Sequence, residues 1–283
     1  MAYEFNPKRS LIFIRVVKEE YRHKHRHWLY RHHVEDSISQ FGPYVSQYAY
    51  YPALPVPPGG DAYGAHNVNL VEHYWLVSDF DPRVKNKTFS EFFPPEVLRW
   101  QGNIPDVDPG SLPENLDGDR ARQADCLAAD DTTSPFVFAF VPIWWDEDLK
   151  GSERTAEDGP NYRWMTLIRY PDGVTEEEGD RWFFEEWAPA FVNHPATTRF
   201  LTSRVIREEN NCPYHRLFEI WFDGPEEWEA AVKAAEEKIA KPAWATADAF
   251  PYFKRFADIV CLFLPDNAES SHMSQFHGYI TMR

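Results

Sequence analysis

The sequence predicts an α+β protein built from two β-α-β-β-α-β units, the ferredoxin-like order, one in each half of its 283 residues. Three observations predict it. Apolar strand patterns alternate with charged amphipathic stretches in the same order in both halves. Leu11-Ile-Phe-Ile-Arg15 superposes on Met165-Thr-Leu-Ile-Arg169 at an offset of 154, and the same offset carries Trp28 onto Trp182. His73-Tyr-Trp75 and Glu219-Ile-Trp221 correspond at an offset of 146, as a longer loop in the first half requires.

Element by element, Ser10 to Val17 reads as an apolar strand and Lys18 to Gln40 as a long, charged, His-rich helix that Gly42-Pro43 ends. Tyr44 to Tyr51 is a second strand, and the Pro/Gly-rich segment from Pro52 to Gly64 a loop. Val71 to Ser78 alternates as a strand should, and Thr88 to Trp100 reads as a short helix interrupted at Pro94-Pro95. An acidic irregular stretch, Gly102 to Ser134, precedes the continuous apolar strand Phe136 to Ile143. The charged, aperiodic segment Asp146 to Asn161 is the expected linker, which places one unit at 1–145 and the other at 162–283. In the second half Arg163 to Tyr170, Thr198 to Arg207, His215 to Phe222 and Asp258 to Leu264 read as strands. Thr175 to Phe191, acidic in its first turn, and Pro225 to Ile239 read as helices.

Composition narrows the function. At 43% hydrophobic and 26% charged residues the chain can bury a core, and 11 Trp, 14 Tyr and 21 Phe exceed what packing requires. No run of 18 uncharged apolar residues occurs, and MAYEFNPKRS lacks the order of a signal peptide, so a cytoplasmic protein without a membrane span is expected. Cys126, Cys212 and Cys261 show no CxxC spacing and are expected to be small buried hydrophobes. A net charge of -16 disfavours a nucleic-acid surface, because phosphate binding is dominated by Lys and Arg. The expected partner is a small aromatic substrate, with room for a homodimer.

The segment Trp28-Leu-Tyr-Arg-His32, after a strand ending in Arg15 and before Gly42-Pro-Tyr-Val-Ser-Gln-Tyr48, resembles the Trp-x-x-x-His helix and following aromatic strand of EthD-type proteins in the dimeric α/β-barrel superfamily. The second half is similar through Trp182, Pro189 and Glu219-Ile-Trp221, but Glu186 stands where the family pattern has its His. The resemblance covers roughly residues 8 to 80 and 162 to 264. It implies that the two sheets pack face to face into one intramolecular barrel, with the ligand inside or at its mouth.

Strand alternation then sorts the candidates. Ile12, Ile14 and Val16 should lie under the helices, leaving Leu11, Phe13 and Arg15 inward, together with Met165, Leu167 and Arg169, His73 with Trp75, and Glu219 with Trp221. Arg15 or Arg169 can form an ion pair with Glu219, or hold a substrate carboxylate or phenolate in its donor fork. Five histidines lie between His23 and His33. On a straight helix Tyr21, His25, Trp28, Leu29, His32 and Asp36 share one face, while His23 and His27 lie opposite with Val34 and Ile38. His23 and His27 have i, i+4 ligand spacing but no third ligand, so they read as solvated. His32 falls on the family's His position, with Asp36 to orient it.

GxGxxG, Walker and GxSxG motifs are all missing, and the second-half helix offers no His to a haem, so no cofactor is expected. An aromatic cavity with His, Tyr and Arg suits proton transfer. The leading expectation is a cofactor-independent lyase, a decarboxylase acting on a phenolic compound. The alternatives are a cofactor-free oxygenase or a cyclase/isomerase on a polyphenol, and a non-catalytic ligand binder. His73, His32, Tyr48 and Glu219 are the catalytic candidates. Arg15, Arg169, Trp75, Trp221, Phe13 and Tyr44 are the substrate-binding candidates.

Overall fold

The computed structural model describes residues 9–16, 19–41, 45–63, 70–76, 136–144, 147–155, 158–207, 212, 214–245, 247–252 and 259–264. Strand β1 (Arg9–Val16) is followed by a continuous helical segment. It runs from α1 (Arg22–Trp28) through a π-helical turn, Leu29–His33, into α2 (Val34–Phe41). Strands β2 (Val45–Pro52), β3 (Leu70–Leu76) and β4 (Phe136–Ile143) complete a first antiparallel sheet of order β2-β3-β1-β4.

The second sheet repeats that order. It contains β5 (Glu147–Asp148), β6 (Tyr162–Ile168), β7 (Arg199–Arg204), β8 (Arg216–Phe222) and β9 (Ile259–Leu264), arranged β5-β7-β8-β6-β9. Between β6 and β7 run α3 (Glu176–Trp182), a second π-helical turn, Phe183–Trp187, and α4 (Ala188–Val192); α5 (Pro225–Lys238) joins β8 to β9. Gly173, at φ +91, makes the turn before α3, and the Thr175 hydroxyl caps that helix by accepting from the Glu178 N–H at 3.1 Å.

The registers of the two sheets correspond. Leu11 lies opposite His73 and Met165 opposite Glu219, while Arg9 faces Trp75 and Arg163 faces Trp221. Period-2 alternation therefore sends the expected residues inward. Leu11, Phe13, Ala49, Tyr51 and Val71 of the first sheet share one buried cluster with Met165, Leu167, Leu217 and Leu262 of the second. The open edges meet as well. Near β4 and β7 the Trp144 N–H donates to Arg204 O at 3.0 Å and the Ile206 N–H to Pro142 O at 2.9 Å; beyond β2 the Leu54 N–H donates to Phe263 O at 2.7 Å. Pairing these edges satisfies backbone groups that an open sheet would expose.

The loop after β2, described as far as Tyr63, crosses from one half to the other. Tyr63 lies edge-on to Trp164 and Trp228, in the aromatic layer that α3, α4 and α5 build over the second sheet. Within 146–161, Glu147 and Asp148 pair with β7, and Arg154 donates to Asn161, Pro160 O and Asp223. The helix expected at Thr88 to Trp100 and the acidic stretch after it lie outside the described residues. None of the described helices is long and apolar enough to cross a membrane.

Candidate functional site

Two groups of buried polar side chains stand out: one between the sheets, the other beneath α1 and α2.

Between the sheets, Arg163 Nε donates to Glu219 Oε1 at 2.6 Å, the indole N–H of Trp221 donates to the same oxygen, and Arg9 Nη2 donates to Ser203 Oγ at 3.1 Å. The Arg163 guanidinium stacks 4.6 Å from the Tyr51 ring and 5.2 Å from Trp221. Each of these arginines thus reaches across to the second strand of the opposite sheet. Burial would raise the Glu219 pKa, but the Arg163 charge and hydrogen bonds from Arg163 and Trp221 outweigh it and hold it below the usual value. This is a closed ion pair. The expected pairing of Arg15 or Arg169 with Glu219 is replaced by Arg163, because Glu219 lies opposite Met165 and next to Arg163, while Arg169 follows the end of β6. At about 3.3 Å per strand residue, six residues put Arg169 roughly 20 Å further along. Arg15 and Arg169 are half-buried at their strand ends, and Arg169 lies 3.7 Å from the exposed Asp172.

His73 is inward and stacks on Trp75 at 3.6 Å, but neither of its ring nitrogens makes a hydrogen bond. Burial first, then Arg9 and Arg163, push its pKa well below the ordinary value. His73 is therefore neutral near pH 7 and has no charged form with which to act as an acid. Phe13 is fully buried in the shared cluster. Tyr44 and the side chain of His32 lie outside the described residues.

Beneath the helix the picture differs. His33 Nε2 lies 3.1 Å from Glu72 Oε2, and the Tyr74 hydroxyl is 3.1 Å from the same oxygen and 3.3 Å from Ser37 Oγ. Tyr48 stacks on Tyr74 at 4.2 Å. Tyr48, a catalytic candidate between the sheets only if β2 turned that face inward, therefore faces the helix: a register shift between Val45 and Gln47 sets the parity of β2. The π-helical turn does the same for the helix. Its extra residue advances the phase so that His25, Leu29, His33 and Ser37 are all buried, while His23 and His27 are exposed. A straight-helix projection has no such insertion and misses His33; strand parity, which puts Glu72 opposite Ile12 on the helix face, was the signal available for Glu72.

Burial, then the Glu72 charge, raise the Tyr48 and Tyr74 phenols well above their ordinary values, so both remain hydroxyls. Burial drives the His25 imidazole down to about 4, against the raising effect of Glu72. A cavity of about 240 Å³ opens at the His25 end of this group, lined by Val16, His25, Leu29, Tyr30 and Tyr50 with the exposed Arg22 and Arg26; His33 and Glu72 are not among its lining residues. Tyr30 stands edge-on to Tyr50 at 5.1 Å, and the Arg26 guanidinium lies 5.8 Å from the Tyr30 ring.

The second half supplies an internal comparison. By strand register and the two π-helical turns, His25, His33, Ser37, Tyr48, Glu72 and Tyr74 correspond to Gly179, Trp187, Phe191, Phe200, Phe218 and Ile220. The second set is wholly apolar and buried. At these six positions the second layer thus packs without an ionisable group, and a buried carboxylate beside a His is not what packing demands there. Among the described residues the corresponding space is filled. Tyr170 takes the place of Val16, its ring against Gly179 where any Cβ would overlap it, and its hydroxyl donates to Asp180 at 2.7 Å. Arg216, in the place of Leu70, closes on Asp180 at 2.6 Å.

Residues 5–106, which contain this entire group, match the family model of the chalcone isomerase N-terminal domain. The Trp28 to His32 motif pointed to EthD-type proteins instead. No curated protein matches the chain. Among solved structures, a chlorite dismutase variant from Candidatus Nitrospira defluvii is 8% identical over 96% of both chains, with a TM-score of 0.47. A protein assigned as a monooxygenase from Lactobacillus acidophilus NCFM is 12% identical, over 94% of this chain and 98% of that one, with a TM-score of 0.35. Such likenesses say nothing of chemistry. Among the described residues no group of three or more His, Cys, Asp and Glu is arranged to hold a metal ion.

Proposed function

We propose that the first half carries a cofactor-independent isomerase or cyclase site for a phenolic small molecule, with His33 and Glu72 as its proton-transfer pair. The observation that carries this reading is the replacement of the apolar Trp187–Phe218 packing of one layer by a buried His–carboxylate pair at the same positions of the other. The match of residues 5–106 to a chalcone isomerase domain supports an isomerase over the decarboxylase expected from sequence. The reading takes 1–145 and 162–283 as two ferredoxin-like repeats joined by 146–161 and closed into one barrel, in a cytoplasmic protein.

Glu72 is the partner of His33 Nε2 and accepts from the Tyr74 hydroxyl, which orients His33 as the base. An aromatic substrate fills the cavity against Tyr30 and Tyr50 and reaches past Leu29, the lining residue one helical turn before His33. His33 takes a phenolic proton, the phenolate oxygen adds to a conjugated carbon–carbon double bond, and the proton returns to the carbon that gains the electron pair. Nothing is consumed, so the reaction is an isomerisation.

The test is turnover of a panel of hydroxychalcones and phenolic acids without added cofactor, in D2O, with His33→Ala beside wild type. Isomerisation with one deuterium at one carbon, reduced about 10² to 10⁴-fold in His33→Ala, is expected. Loss of CO2 from a phenolic acid would restore the decarboxylase reading. Binding without turnover would leave a ligand-binding protein.

A further inference from the structure

Helices α1 and α3 begin and end at corresponding residues, each followed by its π-helical turn, and β3 and β8 correspond in bounds and register. The wall of the first-half cavity therefore has a residue-by-residue counterpart. Arg26 stands in the place of Asp180, and Leu70 in the place of Arg216. The charge on the helix is inverted, and the long cation that meets it is replaced by a short apolar side chain.

In the second half the Arg216 guanidinium donates to Asp180 from Nε at 3.1 Å and from Nη2 at 2.6 Å, and from Nη1 to the Thr202 hydroxyl at 3.3 Å. It lies 4.6 Å from the Phe184 ring and 5.3 Å from the Phe183 ring. A planar ion thus sits on rings, bound to the opposite charge on the helix. The counterparts of Thr202, Phe184 and Phe183 are Tyr50, Tyr30 and Leu29, and all three line the first-half cavity with Arg26 and Leu70.

Two replacements decide which space stays open. His25 takes the place of Gly179, where a Cβ would overlap the Tyr170 ring, so the imidazole occupies part of the volume that this ring fills in the second half. Leu70 is too short to reach the place of the guanidinium. The cavity of about 240 Å³ therefore keeps the place of the planar ion and lacks the ion. Arg22, in the place of Glu176, repeats the inversion one turn earlier. Its Nε and Nη2 are held by Glu19, both at 2.6 Å, whereas the Arg26 guanidinium lies 5.8 Å from the Tyr30 ring.

We propose that this cavity binds the carboxylate of an aromatic acid on Arg26, in the place that the Arg216 guanidinium takes in the second half. A carboxylate is planar like the guanidinium, carries the opposite charge and accepts the two parallel hydrogen bonds of an arginine fork. The ring of the acid lies against Tyr30 and Tyr50. The proposal rests on the reading of this cavity as the substrate site and narrows the substrate from a phenol to a phenolic acid.

The experiment is calorimetric titration of the full chain with 4-hydroxybenzoate and 4-hydroxybenzamide, which share a ring and differ in charge. Neither carries an alkene, so binding is read apart from isomerisation. Wild type is expected to bind the acid about fivefold or more tightly than the amide, and Arg26→Ala to bind the two alike. Arg26→Asp, which restores the charge found in the second half, is expected to prefer 4-hydroxybenzamidine to the acid. Arg26 is exposed, and circular dichroism checks the fold of both variants. Equal affinity of wild type for acid and amide, no saturable binding of either, or a preference for the acid that survives in folded Arg26→Ala overturns the proposal. A preference for the acid without isomerisation of any compound of the panel sinks the isomerase and leaves the acid site standing. Isomerisation of hydroxychalcones without that preference does the reverse.

Discussion

His33 meets the Glu72 carboxylate at 3.1 Å at the very place in the first helix layer where Trp187 packs on Phe218, centroids 6.0 Å apart, in the second. The two layers share strand order and register, so the second shows that these positions pack without an ionisable pair. Burying Glu72 and its partners costs solvation that hydrogen bonds recover only in part. Replacing both by apolar residues, His33→Leu with Glu72→Leu, is expected to raise stability by about 1–4 kcal/mol, measured by urea unfolding, while abolishing turnover. Lower stability in the double variant would mean that the pair is structural.

Residues that act on one proton are not additive. His33→Ala and Glu72→Gln are each expected to lower kcat by about 10² to 10⁴, and the double variant by little more than the worse single one. Multiplying losses would assign them separate tasks. Tyr74→Phe removes one hydrogen bond to Glu72 and should cost less, about tenfold.

The cavity exists because Val16 is small where Tyr170 fills the second layer. Val16→Phe places a ring beside His25 and Tyr50 and should raise KM strongly or abolish turnover with the fold intact by circular dichroism. Arg26→Ala leaves the proton-transfer pair untouched and should raise KM more than it lowers kcat, since the guanidinium stands at the exposed rim. Unchanged kinetics in Val16→Phe would place the substrate elsewhere.

Much of the fold was legible because alternation and helical period are local. β4 was read at its observed bounds, and the inward set of Leu11, Phe13, Met165 and Leu167 followed from parity alone. The candidate site was less legible. A π-helical turn cannot be seen in a periodicity that assumes 3.6 residues per turn, so the straight helix misses His33, while the family motif directs attention to its neighbour His32. Arg9 was lost to a strand boundary drawn one residue late. Arg163 carries the inward parity of Met165, yet its pairing with Glu219 needed the register between β6 and β8.

The last prediction concerns pH, where two buried groups act in separate windows. His25 has a folded pKa of about 4, below its ordinary 6.5, so the unfolded chain binds more protons between those values. Its contribution is whole above pH 6.5 and declines as pH falls towards 4, by about 3 kcal/mol in all. Glu219 acts lower. Its pKa is held below the ordinary 4.5, mainly by Arg163 against the opposing effect of burial, so its contribution is whole above pH 4.5 and disappears as pH falls through the folded value. His25→Phe should therefore flatten the stability profile between pH 6.5 and 4 and leave the steeper acid limb in place. Glu219→Gln should flatten that limb and also cost about 3–5 kcal/mol at pH 7, because Arg163 is left buried without its counter-charge. Urea midpoints measured from pH 3 to 8 for the three proteins separate the two effects. A profile that His25→Phe leaves unchanged above pH 4.5 would show that the imidazole is hydrated in solution and that the helix layer is open to water.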